Sequence, residues 1–297
     1  HVNEEGIMLN SGFVRSLGSF KFDHKINDRL RFGMNVRYSD QNIEGAGTSD
    51  QNGQSNNRLR NAVRFMPFEA PGVDLTSPES FDLNLATQSQ LVNPVLLANN
   101  ELRDDSRNDL ILNSYISYEL LKNLTFKTVI GYTRYNRDRN SFYGKVTGFA
   151  RQNNEQPIIR LENYVGTSLT NSNTLNYKLL VGDKSKFDFV VGQEIWQSYV
   201  QSQDMTIKWL QASITPERAF NGIQNVDPPS GAIQDAPSTG SSLQRLASFF
   251  GRVHYSYDKK YLATLTVRND GSSVFAPGLQ YATFPSISLA WRIIEED

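Results

Sequence analysis

The chain has no cysteine, which excludes disulfides, thiolate metal sites and cysteine nucleophiles together. It also lacks a long apolar run. No stretch approaches the ~18–20 consecutive apolar residues of a membrane-spanning helix, so a helical membrane protein is excluded. Net charge is nearly absent as well: 30 Lys and Arg stand against 31 Asp and Glu, leaving −1 and no basic field for nucleic acid. There is no phosphate-binding G-x-x-x-x-G-K-[ST] sequence, and His1, His24 and His254 include no pair at metal-ligand spacing, so no cofactor is called for. The opening HVNEEGIMLN has neither the basic nor the apolar region of a signal peptide.

What the chain does have is aromatic residues and alternation. It carries 17 Phe, 13 Tyr and 3 Trp in 297 residues, too many for a disordered polymer; that length fits two ordinary domains or one large one. From Arg29 to Tyr38, Leu30, Phe32, Met34, Val36 and Tyr38 share one parity, and Arg29, Arg31, Gly33, Asn35 and Arg37 the other. A period of two means a strand whose two faces meet different surroundings. Similar strands follow at 109–120, 124–133, 175–181, 187–191, 247–257, 261–268 and 284–293, with a weaker one just before Arg29, nine in all.

The connections alternate too. Short turns fall near positions 25, 122, 184 and 258, and long polar connections at roughly 41–106, 138–169, 202–243 and 271–281. A soluble sandwich has no reason to gather its long loops at one end, whereas an outer-membrane barrel has short periplasmic turns and long external loops. The expected fold is therefore all-β: an antiparallel transmembrane β-barrel. Charged residues Arg29, Arg31, Arg37, Asp109, Glu119, Lys127, Arg252, Arg268, Asp270 and Arg292 all fall on the parity facing the hydrated lumen. Nine strands cannot close an antiparallel barrel, which needs an even count. The expectation is an internal piece of a larger wall, with residues 41–106 the place where a tenth strand would hide.

The last part of the chain carries recognisable residues. Leu246-Ala247-Ser248-Phe249-Phe250-Gly251-Arg252-Val253-His254-Tyr255 leads to Arg268-Asn269-Asp270-Gly271-Ser272-Ser273-Val274-Phe275 and then to Phe284-Pro285-Ser286-Ile287-Ser288-Leu289-Ala290-Trp291-Arg292. This resembles the barrel of SusC/RagA-like TonB-dependent transporters from the outer membrane of Bacteroidetes. The match is dense over 243–295; Gly131-Tyr132 and Gly192-Gln193-Glu194 fit upstream more loosely. The resemblance implies that residues 1–297 are part of one 22-stranded barrel domain, with plug domain, signal sequence and C-terminal strands absent. It further implies TonB-dependent import of an oligosaccharide or peptide across the outer membrane. The partners it implies are a SusD-like surface lipoprotein acting as a lid, the plug of the same polypeptide, the TonB–ExbB–ExbD motor and outer-membrane lipid. Import changes no covalent bond, so no enzyme is expected.

Within this frame, Phe142, Tyr143, Tyr164 and Trp209 are candidate ligand-binding residues. They are rings expected on external loops beside amide groups, with Lys208 and Gln211 next to Trp209. The alternative for each ring is packing of loops against one another or against the lid. Asn171-Ser172-Asn173 reads as polar loop, Asp270-Gly271 as a turn, and Asp227-Pro228-Pro229-Ser230-Gly231 as a chain breaker. Leu59, Ala62, Val63 and Met66 have the spacing of a short helix ending at Pro67. Asp50-Gln51-Asn52-Gly53 opens like a calcium loop, but Asn61 stands where the bidentate acid belongs. Two rival readings remain. A soluble β-sandwich carbohydrate-binding module would pair its apolar parities between two sheets. A barrel hydrolase would use His254 beside Ser256, which needs a second catalytic group that the sequence does not supply.

Overall fold

The computed structural model describes residues 1–45 and 93–296, with Leu59, Ala62, Val63 and Phe65 between them. Met66, Pro67 and the stretch Asp50–Gly53 lie outside the described residues; Leu59, Ala62 and Val63 are helical, as their spacing requires.

Among the described residues one antiparallel sheet contains every strand, in chain order. The strands are β1 (Val2–Glu5), β2 (Gly12–Lys25), β3 (Leu30–Glu44), β4 (Glu101–Leu121), β5 (Leu124–Tyr143), β6 (Ile158–Val181), β7 (Ser185–Ile207), β8 (Ser238–Tyr257), β9 (Tyr261–Ser272) and β10 (Tyr281–Trp291). Short helices decorate the connections, among them α1 (Pro94–Asn100), α2 (Gly148–Arg151) and α3 (Pro216–Asn221). No second sheet faces the first among the described residues, so the sandwich reading falls.

The described residues form ten strands, one more than periodicity gives, and the added strand is Val2–Glu5. It is too short and too polar to alternate visibly. The counting argument for an open wall therefore lapses, but the pairing replaces it. β1 and β10 form the two edges of the sheet and do not pair with each other.

Short turns lie where the sequence puts them, at 26–29, 122–123, 182–184 and 258–260. Asn27 accepts from the backbone N–H groups of Arg29 and Leu30, and Asp258 and Lys259 both adopt positive φ, as a tight hairpin demands. Lys184 and Asp258 link two neighbouring turns at 3.0 Å, and this hydrogen bond holds the Lys184 ammonium above its ordinary pKa. The Asp28 carboxylate, bonded to Lys25, lies below its ordinary value for the same reason. Asp270 and Gly271 do not turn: both belong to β9, and the connection runs from 273 to 280 with Gly278 at φ 86°. Gly271 is needed for space instead, because a Cβ there would stand 2.3 Å from Cε1 of Tyr281, its direct partner on β10.

Register carries one apolar face across the sheet. Leu30, Tyr118, Phe126, Leu175, Val191, Gly251 and Val267 stand side by side on successive strands from β3 to β9, and Phe32, Ile116, Ile287 and Leu289 share that face. Ile287 and Leu289 are 74% and 75% exposed to solvent, an arrangement stable only against an apolar medium. The outward apolar run is nine residues long on β5, Leu124–Tyr132. At ~3.3 Å per residue and a tilt of about 40°, such a run rises roughly 23 Å, close to the ~25 Å band of outer-membrane barrels. Near the short turns the same face carries a row of stacked rings, with Phe187 and Tyr255 4.6 Å apart and Tyr261 and Trp291 6.4 Å apart. Rings of this amphipathic kind belong at the edge of a bilayer.

Above this band the strands simply continue. β6 and β7 have 24 and 23 residues, about twice what a membrane requires. The connections read at 138–169 and 202–243 are thus strand at both ends, and the actual loops are 144–157 and 208–237. Beyond the lipid both faces carry polar residues, so the alternation that reveals a strand is lost.

On the opposite, polar face, Phe250 of β8 lies over its register partner Gly192 of β7, where a Cβ would stand 2.3 Å from the ring. Replacing Gly192 by Val forces the ring or the strand aside. We expect a loss of about 1–3 kcal/mol, as overpacking typically costs. Urea titration of the folded protein in detergent micelles measures it, and Phe250→Ala in the Gly192→Val background should recover part of the loss.

Candidate functional site

The polar face changes character along its height. Near the middle it presents Asn113, Thr170, Ser168 and Ser198; above them every strand from β4 to β7 adds charge. Alternation places Asp105 and Arg107 of β4, Arg137 and Arg139 of β5, Glu162 and Arg160 of β6 and Asp204 of β7 on one face. Asp105 accepts both oxygens' worth of hydrogen bonds from Arg107, at 3.1 Å, and from Arg137, at 2.7 and 2.5 Å. Arg139 bridges Asp105 at 3.3 Å to Glu162 at 3.5 Å, and Arg160 bridges Glu162 at 3.5 Å to Asp204 at 2.5 Å. The carboxylates of Asp105 and Glu162 are only 6% exposed, so this is a largely desolvated ladder across four strands. Desolvated charge is tolerable only while each partner remains.

Directly above the ladder lies a cavity of about 740 Å³. Its floor is the polar face at Tyr143, Ile158 and Arg160, and its walls come from the two loops. Thr147 caps α2 by accepting from Ala150 N–H, which fixes Phe149 beside Tyr143 with ring centroids 4.6 Å apart. From the other side Trp209 enters at φ 58°, a conformation costly for a bulky side chain and held by the surrounding loop. Its carbonyl accepts from Asp227 N–H, and the next residue, Leu210, is fully buried. The breaker segment Asp227–Gly231 crosses the opening. Gln234 ties the crossing down by accepting from Lys208 N–H at 3.0 Å and donating to the Lys208 carbonyl at 2.7 Å, with Lys208 Nζ 2.8 Å from Asp235.

The four candidate rings separate. Tyr143 and Trp209 line the cavity together. Tyr164 lies in β6 on the polar face, where its hydroxyl donates to Glu162 at 3.2 Å. Phe142 belongs to β5 and points the other way, 5% exposed in a small core with Ile159, Leu210 and Ala219. For Phe142, loop packing is the observed role. Phe149 and the ladder were missed, although Arg137-x-Arg139 and Arg160-x-Glu162 signal charge on one strand face. His254 sits near the short turns with Nδ1 2.8 Å from Thr264 Oγ1, and among the described residues no hydrogen bond joins it to Ser256. No nucleophile–base pair forms there, and no metal-binding group of acids and histidines occurs among the described residues.

An open antiparallel sheet with one lipid-compatible face, one charged face and long loops at a single end is a section of transmembrane barrel wall. Residues 45–296 match the family model described as TonB dependent receptor-like, beta-barrel, and the chain belongs to that family. Among curated relatives, TonB-dependent receptor P26 of Formosa agariphila is 29% identical over the whole chain, which spans 28% of that protein. SusC of Bacteroides thetaiotaomicron is 50% identical over 52 residues, 18% of this chain and 5% of SusC. Among solved structures, the RagAB peptide transporter superimposes with a TM-score of 0.72 at 19% identity, covering 93% of this chain and 30% of that one. The outer-membrane transporter YddB of Escherichia coli gives 0.53 at 11% identity, covering 96% and 30%. The chain is thus the size of little more than a quarter of the relatives it matches, and the hydrolase reading has no support in the family or the site.

Removing the central carboxylate tests the ladder. Asp105→Asn leaves Arg107, Arg137 and Arg139 without their shared counter-charge, and we expect a loss of about 3–5 kcal/mol, typical of breaking a buried pair. Hydrogen exchange of β4 and β5 above Asp109 should accelerate while the strands near the short turns keep their protection; unchanged protection would show the ladder to be ornamental.

Proposed function

We propose that this sheet is part of the wall of a SusC-like importer that takes up an oligomeric nutrient, an oligosaccharide or a peptide, across the outer membrane of a Gram-negative bacterium of the Bacteroidetes. In this reading residues 1–297 belong to one barrel domain. A SusD-like lipoprotein caps the external mouth, a plug of the same polypeptide fills the lumen, and the TonB–ExbB–ExbD motor remodels that plug to release the cargo. The observation that carries the reading is the cavity at the external end of the polar face, which Tyr143 and Trp209 line beneath a tied-down loop. Aromatic rings beside amides and hydroxyls suit an oligomer, because rings cover the apolar faces of its units and polar groups bond its edges. Asn153 and Gln152 supply amides there, and Arg160 joins the cavity to the charged ladder. Family membership, the relatives named TonB-dependent receptors and the fold shared with the RagAB peptide transporter support the transport function.

The test is growth of the producing strain on two mixtures, neutral oligosaccharides and oligopeptides, each as sole carbon source. Deleting the full-length gene should abolish growth on one mixture. The double variant Tyr143→Ala, Trp209→Ala should reduce uptake about tenfold, the equivalent of ~1.4 kcal/mol of lost binding. Equal growth of the deletion strain on both mixtures would reject this cargo assignment.

A further inference from the structure

Two cations reach the same cavity. Arg160 of β6 pairs in register with Thr206 of β7, so Lys208, two residues further on, is its diagonal neighbour. Diagonal neighbours stand roughly 7–8 Å apart, a span that two long side chains close from both ends. Both residues line the cavity, with 34% of the Arg160 side chain and 31% of the Lys208 side chain exposed.

Neither cation is fully committed. Arg160 turns Nε and Nη2 to Asp204, and among the described residues its Nη1 makes no hydrogen bond. The linked ladder beneath it sets the guanidiniums of Arg107, Arg137, Arg139 and Arg160 against the carboxylates of Asp105, Glu162 and Asp204 alone. One positive charge is therefore left over within the ladder. Lys208 Nζ pairs with Asp235, which also lines the cavity and is 51% exposed. Such an exposed pair is weak, because water competes for both ends.

The rest of the lining suits a peptide main chain. Gln152 and Asn154 are exposed there, and among the described residues their side-chain amides form no hydrogen bond. Each presents a donor and an acceptor, as a peptide bond does. Tyr143, Phe149 and Trp209 supply apolar wall for side chains. A neutral sugar would use the rings and the amides, but it would give Arg160 Nη1 and Lys208 no counter-charge.

We propose, resting on the importer reading above, that this cavity receives the C-terminal end of an oligopeptide, with the terminal carboxylate entering between Arg160 and Lys208. The carboxylate accepts from Arg160 Nη1 and takes the place of Asp235 at Lys208 Nζ. Asp235 thus holds the position of the cargo's own charge while the cavity is empty. Charge-assisted bonds of this kind are strongest where water is partly excluded. Gln234 keeps its two bonds to the Lys208 backbone throughout, so the exchange moves side chains and leaves the crossing segment tied down.

The experiment measures binding to the full-length protein in detergent by titration calorimetry. The probes are an alternating alanine–serine hexapeptide, the same peptide as its C-terminal amide, and a galacturonic acid hexamer. We expect the free acid to bind about tenfold tighter than the amide, the size of effect that one charged contact gives. Lys208→Gln should make acid and amide nearly equal. Asp235→Asn removes the competitor and keeps the cation, so it should tighten the acid and leave the amide as it was. Equal binding of acid and amide to the wild type would overturn the proposal while leaving the importer reading in place, as would an Asp235→Asn variant that binds the acid more weakly. Preference for the galacturonate over the peptide acid would overturn the peptide assignment. Binding of none of the probes would overturn it too, and growth of the deletion strain then decides whether the importer reading falls with it.

Discussion

Every part of this structure answers to one constraint: a backbone crossing lipid must satisfy its own hydrogen bonds. Water is absent from the bilayer core, so each N–H and C=O must pair with a neighbouring strand. The continuous meander from β1 to β10 does this without a crossover, because antiparallel neighbours need only a hairpin between them. Once pairing is fixed, the pleat assigns alternate side chains to opposite faces. Leu124, Phe126, Ile130 and Tyr132 go to one face of β5, and Lys127, Gly131 and Thr133 to the other.

The same strands leave the membrane and continue, and there a different interaction takes over. Within the band, apolar contact with lipid holds the outer face and hydration holds the inner one. Above it, α3 and the 208–237 connection cover the outer face at Phe142 and Ile159, and the Asp105–Glu162–Asp204 ladder stitches the inner face. That stitching makes the rim rigid where the cavity forms. Trp209 can be held in a strained conformation only because Leu210 beside it is fully buried and Asp227 pairs with its carbonyl.

Legibility in the sequence follows the surroundings of each segment. The strand from Leu30 to Tyr38 and its neighbours are plain because lipid and lumen demand opposite residues on opposite faces. The upper halves of β5 to β8 are illegible as strands because Arg137, Asp138, Arg139 and Asn140 all meet polar surroundings, and a period of two disappears. Asn171 and Asn173 mislead for the opposite reason: they break the apolar parity in the middle of a strand, so composition suggests a loop. Asp270-Gly271 misleads because a glycine needed for the bulk of Tyr281 has the same letters as a glycine needed for positive φ. Of the site, Tyr143 and Trp209 were visible as rings near polar groups. Their sharing of one cavity depends on the Trp209 loop folding back over the end of β5, and the ladder depends on register between residues up to 44 positions apart, neither of which a local pattern carries.

The most direct test of the account is the accessibility of spin labels placed one at a time along β5 of the full-length protein in lipid, from Leu124 to Asn140. The account predicts that labels at Leu124, Phe126, Thr128, Ile130 and Tyr132 are relaxed by dissolved oxygen. Labels between them should be relaxed by a water-soluble nickel reagent, and from Arg134 upward the nickel reagent should dominate wherever a label is not packed. Nickel accessibility at all positions from Leu124 to Tyr132, with no period of two, would mean that this face does not meet lipid and that the sheet is no barrel wall.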